Sequence, residues 1–439
     1  MADSPTVQAL ELVIEEQEFL SILQEQSQAF CELVGHLQAD RDAIWNKRHY
    51  FHLVVRFESF ESLLDDFGAR FNRTFGFLRE LVASVRSFAS AGYSLSHMVG
   101  RLDNYGLLST LEMSTFSSFE GRVSNVRAFI QESILRMLDE LSREMSGLGI
   151  EVGRPVHGTE DLEAPAVRQR LPHNVDEEDP GDEQQKVAEV ASKYILAADM
   201  LAERGLRAVQ DPQERNRFLG DVCTEEQARV FEATVHNLQS AYDTHIKNTT
   251  LEGRDPGLGQ LRGLASAALH MLEAVTALTH FYERHESEVR SEVAQQRLQA
   301  LVSRFDVQER TLNRLLVSVV EVLECGRVLA QGVLGRYTNA QELLVTLSDD
   351  LVLHARPAAL IVGIVSRYGT PVELEVKGQN CNAGSILELL VTVGSHPDEK
   401  EFTFRGDATP LRDIALLFQY GLGEEGVDAL PDELSYLRK

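Results

Sequence analysis

His354, Arg356 and Pro357 fall within four residues of one another in the run Leu353-His354-Ala355-Arg356-Pro357-Ala358-Ala359. A neutral imidazole nitrogen is a nucleophile near neutral pH, and a guanidinium two residues away offers a fork of donors to a phosphate. Proline is favoured in the first turn of a helix, where its missing N–H would have no partner. Pro357, with Ala355 as a small neighbour, therefore puts His354 at a helix N-terminus, beside free N–H groups that attract an anion. Such a set can carry a phosphoryl group on histidine. On this run alone, a surface loop histidine beside a solvated arginine fits equally well.

The elements that would hold these residues follow from the pattern around them. Leu343 to Leu347 reads as a strand, and Val372-Glu373-Leu374-Glu375-Val376 and Glu401-Phe402-Thr403-Phe404-Arg405 alternate with period two. Helical spacing covers Pro357 to Tyr368, Ser385 to Val391 and Leu411 to Tyr420. The order is strand, helix, strand, short strand, helix, strand, helix. Short connections then imply an antiparallel sheet with three helices on one face, an open-faced α+β sandwich.

Leu353 to Ala359 resembles the active-site signature of HPr, the phosphocarrier of the bacterial phosphoenolpyruvate-dependent phosphotransferase system. Ser385-Ile386-Leu387 begins the second helix 31 residues after His354, the separation at which that family carries its regulatory serine. The resemblance spans about Leu343 to Tyr420, roughly a fifth of the chain, and the element order agrees with it. It implies that His354 accepts phosphate from an enzyme I-type donor, that Arg356 binds that phosphate, and that Ser385 is a target of a regulatory kinase. A serine at a helix start also serves simply as a cap. The sequence departs from the family where Val352 replaces glycine and Gly384 replaces a lysine-like residue, and where Gly363, Ser366 and Glu388 stand at docking positions that often carry lysine. From Gln341 to Lys439 there are 8 Lys and Arg against 16 Asp and Glu, a net of −8. A family partner with an acidic surface would meet such a domain slowly.

The remainder of the 439 residues reads as helix. Val13, Leu20, Leu23, Phe30, Val34 and Leu37 form one near-heptad stripe, and Phe57, Phe60, Leu64, Phe67, Phe71, Phe75, Leu78, Val82 and Val85 form a stronger one on one helix face. Gly92 interrupts the pattern, and a further helix runs from Val126 to Met145. Four prolines and the acidic run Asp176 to Asp179 mark a solvated linker. Thr224-Glu225-Glu226-Gln227 is a capping box, and helical stripes run through Leu264 to Tyr282 and Leu312 to Val328. The expected organisation is a helical bundle or coiled-coil region over 1–150, an acidic proline-containing linker over 151–186, a second helical region over 187–338 and an HPr-like domain over 339–439. Stripes of this length predict pairing within the chain or across a homodimer.

Several classes are excluded or set aside. A formal charge of −26 disfavours nucleic acid and anionic membrane surfaces. No apolar stretch is long enough for membrane insertion, and Met1 to Pro5 lack the pattern of a signal peptide, so a cytoplasmic location is expected. Cys31, Cys223, Cys325 and Cys381 are far apart, which fits free thiols, and no metal or cofactor is called for. His280, Glu283, His285 and Glu286, and the pair His49 and His52, are more simply polar helix faces than metal ligands. His97, in His97-Met98-Val99-Gly100, resembles the histidine helix of two-component phosphorelay domains, without the usual following basic residue. The sequence thus predicts a regulatory histidine phosphocarrier whose helical region relays the signal or binds an unidentified protein target. The alternatives are a non-phosphorylated scaffold that uses an HPr-like fold for docking, and a phosphorelay module using His97.

Overall fold

The computed structural model describes residues 13–107, 112–153, 183–284, 292–348 and 351–438. The linker proposed around Asp176 and the residues His285 and Glu286 lie outside them. Ten longer helices form the first part: α1 (Glu16–Gln26), α2 (Gln28–Ala39), α3 (Lys47–Asp66), α4 (Gly76–Val99), α5 (Met113–Gly147), α6 (Glu183–Ala202), α7 (Pro212–Val222), α8 (Glu225–His245), α9 (Pro256–Arg284) and α10 (Val317–Tyr337). The second part contains β1 (Ala340–Thr346), α11 (Ala355–Tyr368), β2 (Val372–Val376), β3 (Gln379–Asn382), α12 (Ile386–Gly394), β4 (Glu401–Asp407) and α13 (Ala408–Gln419).

The long phenylalanine stripe is not one helix. Gly68 takes φ +70°, which only glycine adopts without strain, and the chain turns back there. Phe57, Phe60 and Leu64 on α3 then pack with Leu78, Val82 and Val85 on α4 in one core, while Phe67 and Phe71 in the turn stay exposed. The stripe folds onto itself, so its burial needs no second chain. Gly92 does not end a helix either: α4 runs through it. A Cβ at Gly92 would lie 2.2 Å from the Tyr50 ring, so the glycine lets α3 approach closely. Buried side chains line α4 on every side, as expected of a central helix. It packs against α3, α5 and α9.

Helices on both sides of residues 154–182 share a single hydrophobic core. Phe88 on α4 meets Phe281 on α9 edge-on at 4.9 Å, and Arg297 binds Glu140 of α5 at 2.6 Å. Side chains from both helical regions thus meet in one core. In the last stripe, Leu312, Leu315, Val319 and Leu323 are buried but Val328 is exposed. Val328 lies five positions after Leu323, which turns it off the face, and Ala330 and Val333 replace it in the core.

The second part has its own core. Its four strands lie in the order β1-β4-β2-β3, and each neighbouring pair is antiparallel. Val372, Leu374 and Val376 point from β2 into the core, while Glu373 is exposed and Glu375 half-buried between them. The open-faced sandwich is thus present, with α11, α12 and α13 covering the sheet. This part is tied to the helical body at the far end of α11, where Gln185 Nε2 donates to the Tyr368 carbonyl at 2.7 Å. Fourteen residues of helix separate that contact from the start of α11, about 21 Å at 1.5 Å per residue. Among the described residues, no helix is long and apolar enough to cross a membrane.

The capping box read at Thr224 is formed, with Gln227 N donating to Thr224 Oγ1 and Thr224 N to Gln227 Oε1. Beside it, buried Glu225 receives hydrogen bonds from Arg284, Arg229 and His280, and Glu283 accepts from the Glu225 N–H. Burial pulls the Glu225 pKa up, but these donors outweigh it and hold it down to about 2. A carboxylate held below its unfolded pKa stabilises the fold above that value and loses the contribution as pH falls. Glu225→Gln should therefore lower unfolding stability by about 1–3 kcal/mol at pH 7. In urea titrations the gap should close between about pH 5 and pH 2; a gap independent of pH would contradict this account of Glu225.

Candidate functional site

α11 begins at His354, which is its N-cap, and the imidazole rather than a hydroxyl or carboxylate does the capping. His354 Nδ1 accepts from the Arg356 N–H at 3.3 Å. Pro357 falls in the first turn and is buried, which anchors the helix start without requiring a donor. Leu353 is buried just before the histidine, so the ring is held between a fixed loop and a fixed helix. Ala355 is exposed and leaves the approach to the ring clear. Arg356 is exposed too, and no carboxylate lies within ion-pair distance of it among the described residues. Its guanidinium is thus free to bind an anion at the histidine.

The other ring nitrogen has a partner from a distant part of the sequence. His354 Nε2 lies 2.8 Å from Glu424 Oε1. That oxygen is shielded from solvent and has no aligned donor, so a small turn of the ring would give it the Nε2 proton. Glu424 arrives from the chain beyond α13. Gly421, Leu422 and Gly423 take φ of +63°, +57° and +69°, three consecutive left-handed residues that reverse the chain. A left-handed leucine costs about 1–2 kcal/mol, which full burial of Leu422 offsets. A Cβ on Gly423 would sit 3.0 Å from Leu360 of α11, so glycine lets the turn lie against the helix. The only sequence signal was Gly421-Leu422-Gly423-Glu424, a turn pattern 70 residues from the histidine with no metal or motif to connect them.

The same tail covers part of α11 further along. Leu434 is buried, Tyr436 and Tyr368 both donate to Asp413 Oδ2 at 2.7 and 2.6 Å, and the Arg367 guanidinium lies 4.2 Å from the Tyr436 ring centre. Leu437 lies over Gly363, one of the positions where the resemblance places docking lysines. The Arg356 end of the helix stays open.

Ser385 is the N-cap of α12, its hydroxyl accepting from the Glu388 N–H at 3.4 Å. The Glu388 carboxylate in turn accepts from the Asn382 N–H at 3.0 Å. Exposed Ile386, Leu387 and Val391 extend along the same helix.

Residues 342–409 match the family model of the PTS HPr component phosphorylation site. The chain thus carries an HPr domain at its C-terminal end, preceded by a long helical region. No solved structure matches the chain. The matched segment contains His354, Arg356 and Ser385 and ends at the start of α13, so Glu424 lies outside it.

Of the other histidines, His49 and His280 have structural partners. His49 Nδ1 accepts from the Asn46 N–H and completes the capping box of α3, while its ring stacks on Trp45. His280 belongs to the Glu225 cluster. His97 lies in the helical body on α4, not in the HPr domain. Among the described residues, no group of three or more His, Cys, Asp or Glu is arranged to hold a metal.

A neutral imidazole whose Nε2 proton is held by a carboxylate presents its lone pair at Nδ1, toward the helix N-terminus. Glu424→Gln should slow phosphoryl acceptance by about ten-fold while leaving the fold intact, the scale of one charged hydrogen bond. Arg356→Ala should slow it by about ten-fold or more through loss of a charge-assisted phosphate contact. Rapid-quench labelling measures both; a rate unchanged by Glu424→Gln would leave that carboxylate with no part in the site.

Proposed function

We propose that this protein is a cytoplasmic histidine phosphocarrier of the phosphotransferase system, of a regulatory kind, in which His354 Nδ1 takes the phosphoryl group. The observation that carries the reading is the histidine's position as the cap of α11, with Nδ1 accepting from the Arg356 N–H and Nε2 against Glu424. In the transfer, Nδ1 attacks the phosphorus of a phosphorylated enzyme I-type donor. The new N–P bond forms as the donor's bond breaks, and the proton on Nε2 stays in place. Helix N–H groups and the Arg356 guanidinium then hold the three phosphoryl oxygens. The helical body is proposed to receive the signal or to bind a protein target, since the phosphoryl chemistry needs only the HPr domain.

Ser385 fits a regulatory role less directly. A phosphate there would gain the N-terminal amides of α12 but would lie beside the Glu388 carboxylate, a like charge within the same turn. Modification of Ser385 by a kinase is therefore proposed only as a secondary input. A second reading, an unphosphorylated docking scaffold, draws support from the net charge of −8 and from Leu437 lying over Gly363.

Incubation with enzyme I and radiolabelled phosphoenolpyruvate separates these readings. The phosphocarrier reading expects acid-labile label on the intact protein and none on His354→Ala. Label that persists on His354→Ala would overturn it, and no label on either would favour the scaffold.

A further inference from the structure

One residue grips both ends of the loop that leads to His354. Lys400 directly precedes β4, and its carbonyl accepts from the Leu347 N–H at 2.8 Å, which carries the β1-β4 ladder one step past the strands. Its ammonium donates to the Leu351 carbonyl at 2.7 Å, three residues before the histidine. The backbone of Lys400 is held in turn. Glu399 Oε1 accepts from the N–H groups of Lys400 and Glu401, each at 3.0 Å, and Glu399 Oε2 lies 3.0 Å from the Lys377 ammonium. The Glu401 N–H and then Lys377 hold the Glu399 pKa down to about 2, so this carboxylate is charged near neutral pH.

Two halves of the site meet at Leu351. From its carbonyl the chain runs through exposed Val352 and buried Leu353 to His354. Its side chain lies beside Gly421, where a Cβ would come 3.9 Å from Leu351 Cδ1. Gly421 opens the left-handed turn that brings Glu424 to His354 Nε2 at 2.8 Å. The hydrogen bond from Lys400 thus fixes both the loop before the histidine and the side chain against which the carboxylate's turn rests. A reacting group works only when its partners are held to within about 0.5 Å. An ammonium on a carbonyl is a charge-assisted bond, stronger than a neutral one. The sheet itself does not call for it, because the backbone bond between Leu347 and Lys400 already closes the ladder.

We propose that Lys400 is a positioning residue for phosphoryl transfer, acting through Leu351 to keep His354 and Glu424 in register. The proposal rests on the phosphocarrier reading of His354. With Leu351 held, the Nε2 proton stays on the Glu424 side and Nδ1 keeps its lone pair for the donor. With Leu351 released, ring and carboxylate shift against each other, and the neutral imidazole divides between its two tautomers.

Steady-state transfer from enzyme I and phosphoenolpyruvate to the full chain tests this, together with the 15N shifts of the neutral His354 ring. In Lys400→Met, kcat should fall by about ten-fold, the scale of one charge-assisted hydrogen bond, with KM little changed. The wild-type ring should hold its proton at Nε2, whereas the variant should show both tautomers. Glu399→Gln keeps the ammonium and loosens only the backbone that carries it. It should show a smaller change in the same two readouts, and it carries the test if Lys400→Met does not fold. Either readout unchanged in folded Lys400→Met, or a rise in KM alone, overturns the positioning role while leaving the phosphocarrier reading intact. No transfer to the wild-type chain defeats that reading, and this proposal with it.

Discussion

The first turn of a helix has N–H groups with no carbonyl to bind, and at α11 the group placed to meet them is an imidazole. Leu353 and Pro357 are buried on either side of His354 and fix the helix start. Core residues of α11, among them Ile361 and Ile364, pin the helix to the sheet, so the ring cannot drift relative to the amides. A phosphoryl group on Nδ1 would find donors already oriented, with no loop to order on arrival. The carboxylate on the opposite nitrogen completes the constraint, because an imidazole has only one proton to place when neutral.

That carboxylate comes from a tail whose geometry is costly and specific. Three successive left-handed residues turn the chain after α13, and one of them is a leucine. Burial of Leu422, Leu430 and Leu434 holds the tail against the domain, and two tyrosines share the buried Asp413. The tail thus does two jobs at once: it brings Glu424 to His354 and covers part of α11 with Leu437. A partner that reads the open end of α11 would meet Arg356 and the exposed apolar side chains of α12 rather than a ring of lysines.

The sequence showed much of this domain directly. The strict alternation of Val372 to Val376 gave a strand with the same limits in the structure, and Pro357 located the helix start beside His354. Glu424 was hidden because a contact across 70 residues leaves no local period or spacing. The helical body was legible as helices but not as an arrangement. A phenylalanine every three or four residues says that a face is buried, not that the face is cut at Gly68 and folded on itself. Glycine is a poor helix former, so Gly92 looks like an interruption in the sequence, whereas tertiary packing against Tyr50 decides its place. Likewise the proline-rich stretch marks a linker between two helical regions without saying how they pack. Buried contacts such as Phe88 on Phe281 join them, and no composition pattern reports which helices become neighbours.

The claim at the centre of this account is that the helix end and Glu424 select one ring nitrogen. Phosphorylated protein with 15N-labelled histidine, observed by 31P and 15N resonance, reports which nitrogen of His354 bears phosphorus. The account predicts phosphorus–nitrogen coupling at Nδ1 with the proton retained at Nε2. Coupling at Nε2 would contradict it, because that nitrogen faces the Glu424 carboxylate and not the helix amides.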